Sequence, residues 1–276
     1  GEASVALTVG QGPPYAVEAC VGANSHRSAR QSAGYTAAAA GAADMNRPSV
    51  NDLRHRPVYS AKEAAQYLRL PGSTVRAWAF GQNYRVNGEI RRQEPVIATA
   101  DPANRRLSFI NLIELLVLAA MRREHKVDMR TVREALSYLR KAHPSDHPLA
   151  DHEFQTDGVQ LFVEKYGAIL NISRDGQVEM AELIRRYLRL VERDASGVPF
   201  KLHLPRRADS PEPMVAVVID PLRGFGRPLL DARGIRTEVI LDRFHAGESL
   251  ASLAADYEID QAVVEDILRS EPARAA

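Results

Sequence analysis

The sequence predicts an α+β protein, mainly α-helical: a helix-turn-helix with a following wing, a small middle α/β region and a C-terminal trihelical domain. Three observations carry this expectation. Two short amphipathic helices joined by Pro71-Gly72 open the patterned part of the chain, further helical stripes of apolar residues follow, and β-prone runs are confined to the wing and the middle.

The chain has 276 residues, of which 45% are hydrophobic and 26% charged, enough for two or three domains. Its longest apolar run, Phe109 to Met121, is too short to span a bilayer and is interrupted by Asn111 and Glu114. The single cysteine, Cys20, excludes an internal disulfide framework and fits a reducing cytoplasm. Residues 1–53 read as a low-complexity tail dominated by Ala, Gly and Ser, without the charged start and apolar core of an export signal. Met45 is a candidate natural start, and the residues before it are kept out of functional reasoning.

The stretch from Ser60 to Gly81 organises the rest. Ser60 and Glu63 have the spacing of a capping box, which starts a helix at Ala61. Ala61, Ala64, Ala65 and Leu68 share one face, while Lys62, Gln66 and Arg69 point to water. Ser73 is the expected cap of a second helix that buries Val75, Trp78 and Ala79 and exposes Ser73, Thr74, Arg76 and Ala77. Such a small, cationic face suits a recognition helix, although the pattern alone leaves an ordinary helical hairpin equally open.

Asn87-Gly88 is the preferred dipeptide of a tight hairpin turn, so residues 82–106 predict a wing, with Arg85, Arg91 and Arg92 around the turn. Ser108 caps a core helix bearing Phe109, Leu112, Ile113, Leu116, Val117 and Ala120, and a further helix runs from about Arg130 to Ala142. Residues 54–142 carry 17 Lys and Arg against 8 Asp and Glu, a net charge of +9; residues 143–276 carry 16 against 23, a net of −7. Only the first part is suited to face nucleic acid.

The order helix, turn, helix with STVRAWA, an arginine-bearing wing, then RRLSFINLIELLVLAAMRREHKVDMRTVREALSYL resembles the MerR-like winged-helix DNA-binding domains over about ninety residues. That resemblance implies operator DNA as a partner, with Thr74 and Arg76 at the recognition helix. Ala77 stands where the family has an aromatic residue. The family's long dimerisation helix is not evident after Ala142, so the expected homodimer must be arranged differently.

Residues 143–217 form the middle region. Pro144, Pro148 and three histidines, His143, His147 and His152, read as a solvated connector and not a metal site, because the prolines prevent a shared helical face. Glu153 to Thr156, Val159 to Tyr166 and Ala168 to Ile172 are expected as strands, Glu179 to Arg193 as a helix, and Phe200 to Leu204 and Met214 to Ile219 as strands flanking a mobile loop.

From residue 218 onward, helices are expected at Thr237 to His245, Leu250 to Tyr257 and Gln261 to Ser270, the last exposing Glu265 and Asp266. The ordered motifs IDP, FGRP, GIRTEVI, RFHAGESLASLAADYEID and VVEDIL resemble a small domain found in antitoxins encoded beside PIN-like ribonuclease toxins. Together the two resemblances imply the antitoxin of a VapBC-like pair, with a PIN-like ribonuclease toxin as second partner. The acidic balance and the aromatics of this region make Phe244, Glu248, Tyr257, Glu258 and Asp260 the candidate toxin contacts, core packing being the alternative for the two rings. A MerR-like transcription regulator without a toxin, in which the middle sheet binds a small effector, is the other reading. No enzyme signature occurs: there is no nucleophile elbow, Walker loop or HExxH, the Gly224-Phe225-Gly226 run lacks a third glycine, and no cofactor is expected.

Overall fold

A computed structural model of the chain describes residues 50–125, 129–207 and 210–270. The expectations for the tail up to residue 49, including Met45 and Cys20, lie outside the described residues. Helix α1 (Val50–His55) leads into strand β1 (Tyr59–Ser60), α2 (Ala61–Tyr67), α3 (Gly72–Phe80) and the hairpin β2 (Gln82–Val86) and β3 (Glu89–Gln93). Strand β4 (Arg106–Leu107) pairs back on β1 and introduces α4 (Phe109–His125), followed by α5 (Met129–Ala142).

Helix α4 is the core of this half. Every residue from Phe109 to Met121 is buried, polar ones included, because α1 and α7 (Arg174–Leu188) cover different sides of it. Its start is fixed by Asn111, whose side-chain oxygen accepts the Ala100 and Ser108 amides at 3.0 and 3.1 Å and whose nitrogen donates to the Ala98 carbonyl at 2.7 Å. Ser108 caps the helix as expected, accepting from the Asn111 amide at 3.2 Å.

The connector is only partly solvated: Pro144, Asp146 and His152 are exposed, but its middle is packed on the core. Leu149 and Ala150 are buried, and His147 donates through Nδ1 to Glu114 Oε2 at 3.0 Å. Glu114 is fully buried and also accepts from Asn111 at 3.1 Å. Burial raises its pKa, partly offset by His147; burial lowers that of His147, but the hydrogen bond and charge of Glu114 outweigh this and raise it. A chain segment with prolines and histidines was expected to stay in water, yet one charge-assisted bond to a buried acid holds it against α4. Among the described residues there is no cluster suited to a metal ion.

Three expected strands are helical. A π-turn (Phe154–Gly158) runs directly into α6 (Val159–Leu170), covering the runs expected as strands at Glu153 to Thr156, Val159 to Tyr166 and most of Ala168 to Ile172. Val159, Phe162, Val163, Tyr166 and Gly167 are its buried residues, a helical i, i+3, i+4, i+7, i+8 stripe that overrides the β-propensity of the individual side chains. A Cβ at Gly167 would lie 2.5 Å from the Gln177 side chain, so this glycine lets α6 and α7 pack closely. Helix α7 starts earlier and ends earlier than expected, capped by Ser173 and stopped where the chain enters β5 (Val191–Arg193).

Strands β5, β6 (Pro199–Arg207), β7 (Ser210–Ile219) and β8 (Leu229–Leu230) form one antiparallel sheet in that order. The loop expected from Arg206 to Pro213 is largely strand: Pro205 faces Pro213 and Arg207 faces Ser210, with register shifts around Pro205 where a proline cannot donate to the ladder. The boundary expected at Val218 falls inside β7.

Helices α8 (Thr237–His245), α9 (Leu250–Tyr257) and α10 (Gln261–Ser270) have the expected bounds, and Ser249 caps α9. Asp266, expected on the surface, is 3% exposed and accepts from Arg206 Nη2 at 2.7 Å. The residues from Pro48 onward form one compact unit. Arg227 donates to Glu63 and to Tyr67, Tyr59 donates to the Gly226 carbonyl at 2.8 Å, and Arg69 donates to the Arg269 carbonyl at 3.2 Å, so the C-terminal segment is bonded directly to α2 and its neighbours. Among the described residues, no helix is long and apolar enough to cross a membrane.

Candidate nucleic-acid interface

The site begins with a well-made helix start. Ser60 accepts from the Glu63 amide at 3.2 Å and the Glu63 carboxylate accepts from the Ser60 amide at 2.8 Å, completing the capping box. The Ser60 bonds and Arg227 hold Glu63 below its usual carboxylate range, against the opposing effect of burial. Leu68, Val75 and Trp78 are buried under the two helices, and Arg69 turns the chain with a left-handed φ of 56°. Trp78 is thus a core residue, with the Arg122 guanidinium 5.8 Å from its ring centre.

The second helix is capped differently from the expectation. Pro71, not Ser73, is the N-cap; its fixed φ of −60° suits the position, and its carbonyl accepts from Thr74 at 2.9 Å and Val75 at 3.2 Å. Ser73 therefore sits inside the first turn, with its side chain exposed. Thr74 is half-buried and Arg76 exposed. Arg76 folds back over the helix start, its Nη1 only 3.3 Å from where a Cβ on Gly72 would lie.

Arg76 shares a groove of about 340 Å³ with Lys62, Gln66, Arg69 and Gly72. Two guanidinium groups, an ammonium and a side-chain amide line one concave surface, an arrangement that can hold a phosphate or meet a base edge. Lys62, Gln66 and Arg69 are recognisable in the sequence as one polar stripe, although Arg69 falls in the turn just after α2; that they join Arg76 becomes visible only once that turn is built.

The wing is a regular hairpin. Asn87 and Gly88 both have positive φ, 52° and 85°, as a tight primed turn requires. Gly81 joins α3 to β2 with a φ of 73°, and a Cβ there would lie 2.4 Å from the Gln93 carbonyl oxygen. In the register Asn83 opposite Arg92 and Arg85 opposite Ile90, Arg85 and Arg92 share one face with Ile90, while Arg91 lies on the other beside Tyr84. Arg91 and Arg92 make exposed ion pairs with Glu89 at 3.9 Å and Glu94 at 3.3 Å, which compete weakly with an external phosphate. Arg85 is exposed and has no ion pair among the described residues.

The C-terminal candidates are dispersed. Phe244 and Tyr257 are half-buried and pack on the core, the alternative noted for the two rings. Arg243 lies 5.1 Å from the centre of the Tyr257 ring and grips Glu248 and Asp256, which lowers the pKa of Glu248. Glu258 ends α9 in a left-handed conformation and pairs with Arg233 at 2.6 Å. Glu258 and Asp260 share a shallow depression of about 510 Å³ with Ala216, Ile259 and Val263.

A domain profile described as "Putative DNA-binding HTH domain" matches residues 57–136, and one described as "Protein of unknown function" matches residues 217–269. The chain is similar to "Putative antitoxin VapB45" of Mycobacterium tuberculosis, 31% identical over 229 residues, which covers 77% of this chain and 92% of that protein. The chain belongs to the VapB45 family. A second relative from the same organism, "Uncharacterized protein Rv2308", is 25% identical and covers 82% of this chain and 93% of its own length. The crystal structure of Rv2018 from Mycobacterium tuberculosis is similar with a TM-score of 0.58 at 26% identity, covering 77% of this chain and 98% of that one. The helix-turn-helix match of this VapB45-family chain contains the groove and the wing together, and the second match contains all five C-terminal candidates.

Proposed function

We propose that this chain is the antitoxin of a VapBC-like pair, a cytoplasmic, non-enzymatic homodimer that holds operator DNA through a MerR-like winged helix-turn-helix. Its other partner is a PIN-like ribonuclease toxin encoded beside it, held by the acidic C-terminal part. The observation that carries the DNA-binding part is the cationic groove of Lys62, Gln66, Arg69 and Arg76 at the start of α3. The net charge of +9 over residues 54–142 supports it, and the VapB45 relationship supports the antitoxin role.

Arg76→Ala is expected to lower affinity for the DNA upstream of the gene pair by about 1 to 3 kcal/mol, roughly 5- to 150-fold, while changing random-DNA binding little. Arg85→Ala, Arg91→Ala and Arg92→Ala should weaken both DNAs alike and lower the salt slope by about 1 each, Arg85 most because its guanidinium has no competing ion pair. Ser73→Ala and Thr74→Ala report whether the first turn of α3 touches DNA. Titrations at several salt concentrations decide: if Arg76→Ala leaves operator affinity intact, the groove is not the reading surface. Co-expression with the neighbouring reading frame, followed by co-purification, tests the toxin partner.

A second reading, the effector-responsive regulator, is favoured by one feature, a cavity of about 330 Å³ lined by His55, His147, Asp151, Arg193 and Pro199. A neighbouring metabolic or efflux gene, with no stable complex on co-expression, would select it.

A further inference from the structure

Arg193, the last residue of β5, holds its guanidinium by one hydrogen bond among the described residues, from Nη1 to the Gly197 carbonyl at 2.9 Å. Its Nε and Nη2 are sealed from water and have no partner among those residues. These two nitrogens make up one edge of the guanidinium, the edge that chelates a carboxylate through two parallel bonds. Two unpaired donors on one dry edge point to an acceptor from outside the chain. The wall behind them is firm. Asp194 accepts the Ser196 and Val198 amides at 2.9 and 3.0 Å, and Gly197 turns the chain with a φ of 78° where a Cβ would lie 2.7 Å from the His152 ring.

Arg193 borders the cavity of about 330 Å³ between the end of α1, the connector and the turn from β5 to β6. Asp151 and Glu153 line the same cavity and make no ion pair among the described residues. Burial pushes the Arg193 pKa down, and these two carboxylates oppose it through space without a direct bond. Ile110, Ala150 and Pro199 are buried and contribute apolar surface to the lining. Uncommitted charge of both signs thus stands around one space, beside an apolar wall.

We propose that this cavity binds a free α-amino acid with an apolar side chain, its carboxylate on the Nε and Nη2 edge of Arg193, its ammonium facing Asp151 and Glu153, and its side chain on Ile110, Ala150 and Pro199. Tethered only at Nη1, the guanidinium turns that edge into the cavity as the ligand enters. One guanidinium set against two carboxylates selects a zwitterion: a phosphate dianion meets like charge at both acids, and a simple amine leaves the guanidinium edge unpaired. The volume is that of a small-molecule site, and a few placed polar groups on an apolar lining are what such sites use for orientation. This inference rests on the effector reading of the cavity for its location alone, and binding of DNA or of a toxin is a separate property of the chain.

Isothermal titration calorimetry and thermal melting of the full chain, with neither DNA nor partner present, test it. The probes are free leucine, isoleucine, valine, methionine and phenylalanine, with sodium acetate, inorganic phosphate and butylamine as controls. At least one amino acid should bind with a Kd below about 1 mM and, at about tenfold excess over that Kd, raise Tm by about 3 °C or more, while the controls do neither. Arg193→Met should weaken binding by about 10-fold or more, the effect of losing a charged hydrogen-bonding fork. Asp151→Asn combined with Glu153→Gln should weaken it by about 5-fold, as expected for half-exposed charges. Should Arg193→Met fail to fold, the double carboxylate variant decides alone. No heat and no Tm shift with any of the amino acids up to about 10 mM overturns the site. Binding that survives these variants unchanged places the ligand elsewhere and also overturns it, and acetate or phosphate binding as tightly as an amino acid overturns the zwitterion. A chain that binds none of the probes yet keeps its operator affinity and co-purifies with the neighbouring gene's product refutes this inference and leaves the antitoxin reading standing.

Discussion

A chain cut before Val218 should lose cooperative folding altogether, including its DNA-binding half. The cut removes the last two residues of β7, both buried, together with β8 and the buried Leu229, Leu230, Ile240, Leu253, Val264 and Ile267. At about 2 to 5 kcal/mol for each large buried side chain lost, the deficit exceeds the roughly 5 to 15 kcal/mol that stabilises a typical domain. The helix-turn-helix also loses two specific supports, the Arg227 bond to Glu63 of the capping box and the Gly226 carbonyl that satisfies the buried Tyr59 hydroxyl. Tyr59 illustrates the cost: burial keeps its hydroxyl protonated far above the ordinary range, so it needs that acceptor. Circular dichroism melting of residues 48–217 against the full chain is the measurement. A sharp transition with operator affinity retained would show that the N-terminal half folds alone. Toxin docking is accordingly better tested by point changes at Glu248, Glu258 and Asp260 than by deletion.

The second large effect concerns the buried acid of α4. Glu114→Ala should destabilise by about 3 kcal/mol, at the low end for breaking a buried ion pair, because His147 keeps 19% of its side chain in solvent. The pH dependence has a definite sign. Glu114 has its folded-state pKa raised by burial, so its contribution is present below the ordinary value of 4.5 and is lost as pH rises through the folded value. His147 has its folded-state pKa raised by Glu114, so its contribution is complete below 6.5 and is likewise lost on raising the pH through the folded value. Other carboxylates act in the opposite direction; Glu63 is lowered by the Ser60 bonds and Arg227, so its stabilisation fades in acid. The informative quantity is therefore the difference in Tm between wild type and Glu114→Gln, which should shrink as pH rises from about 5 to 9. A difference that stays constant over that range would remove the pair from any account of stability.

The capping box at Ser60 and Glu63, the Asn87-Gly88 turn and the Ser249 cap are local grammar, each written within four residues, and all are legible in the sequence. The C-terminal helices follow for the same reason. Residues 154–170 defeat that approach, because Val, Phe and Tyr individually favour strands while their spacing favours a helix, and the spacing prevails once α7 provides a surface. Long-range partners leave still less trace. Nothing in the sequence near Glu63 announces Arg227, and nothing near Glu114 announces His147. In the candidate interface, Arg76 and the wing arginines follow from pattern, whereas the joining of Lys62, Gln66 and Arg69 to Arg76 depends on the angle between two short helices.

The burial of α4 on several sides has a consequence during synthesis. Part of its unbroken run of buried residues, Phe109 to Met121, is packed by the earlier α1, but the side that α7 covers waits until α7 has been made, roughly 70 residues later. At elongation rates of about 5 to 20 residues per second, that apolar side of the helix stays uncovered for on the order of 4 to 14 s. Throughout that interval the nascent chain is a substrate for hydrophobe-binding chaperones. The supply of folded protein is thus tied to chaperone capacity, and a cell short of that capacity would lose newly made copies before it lost those already folded.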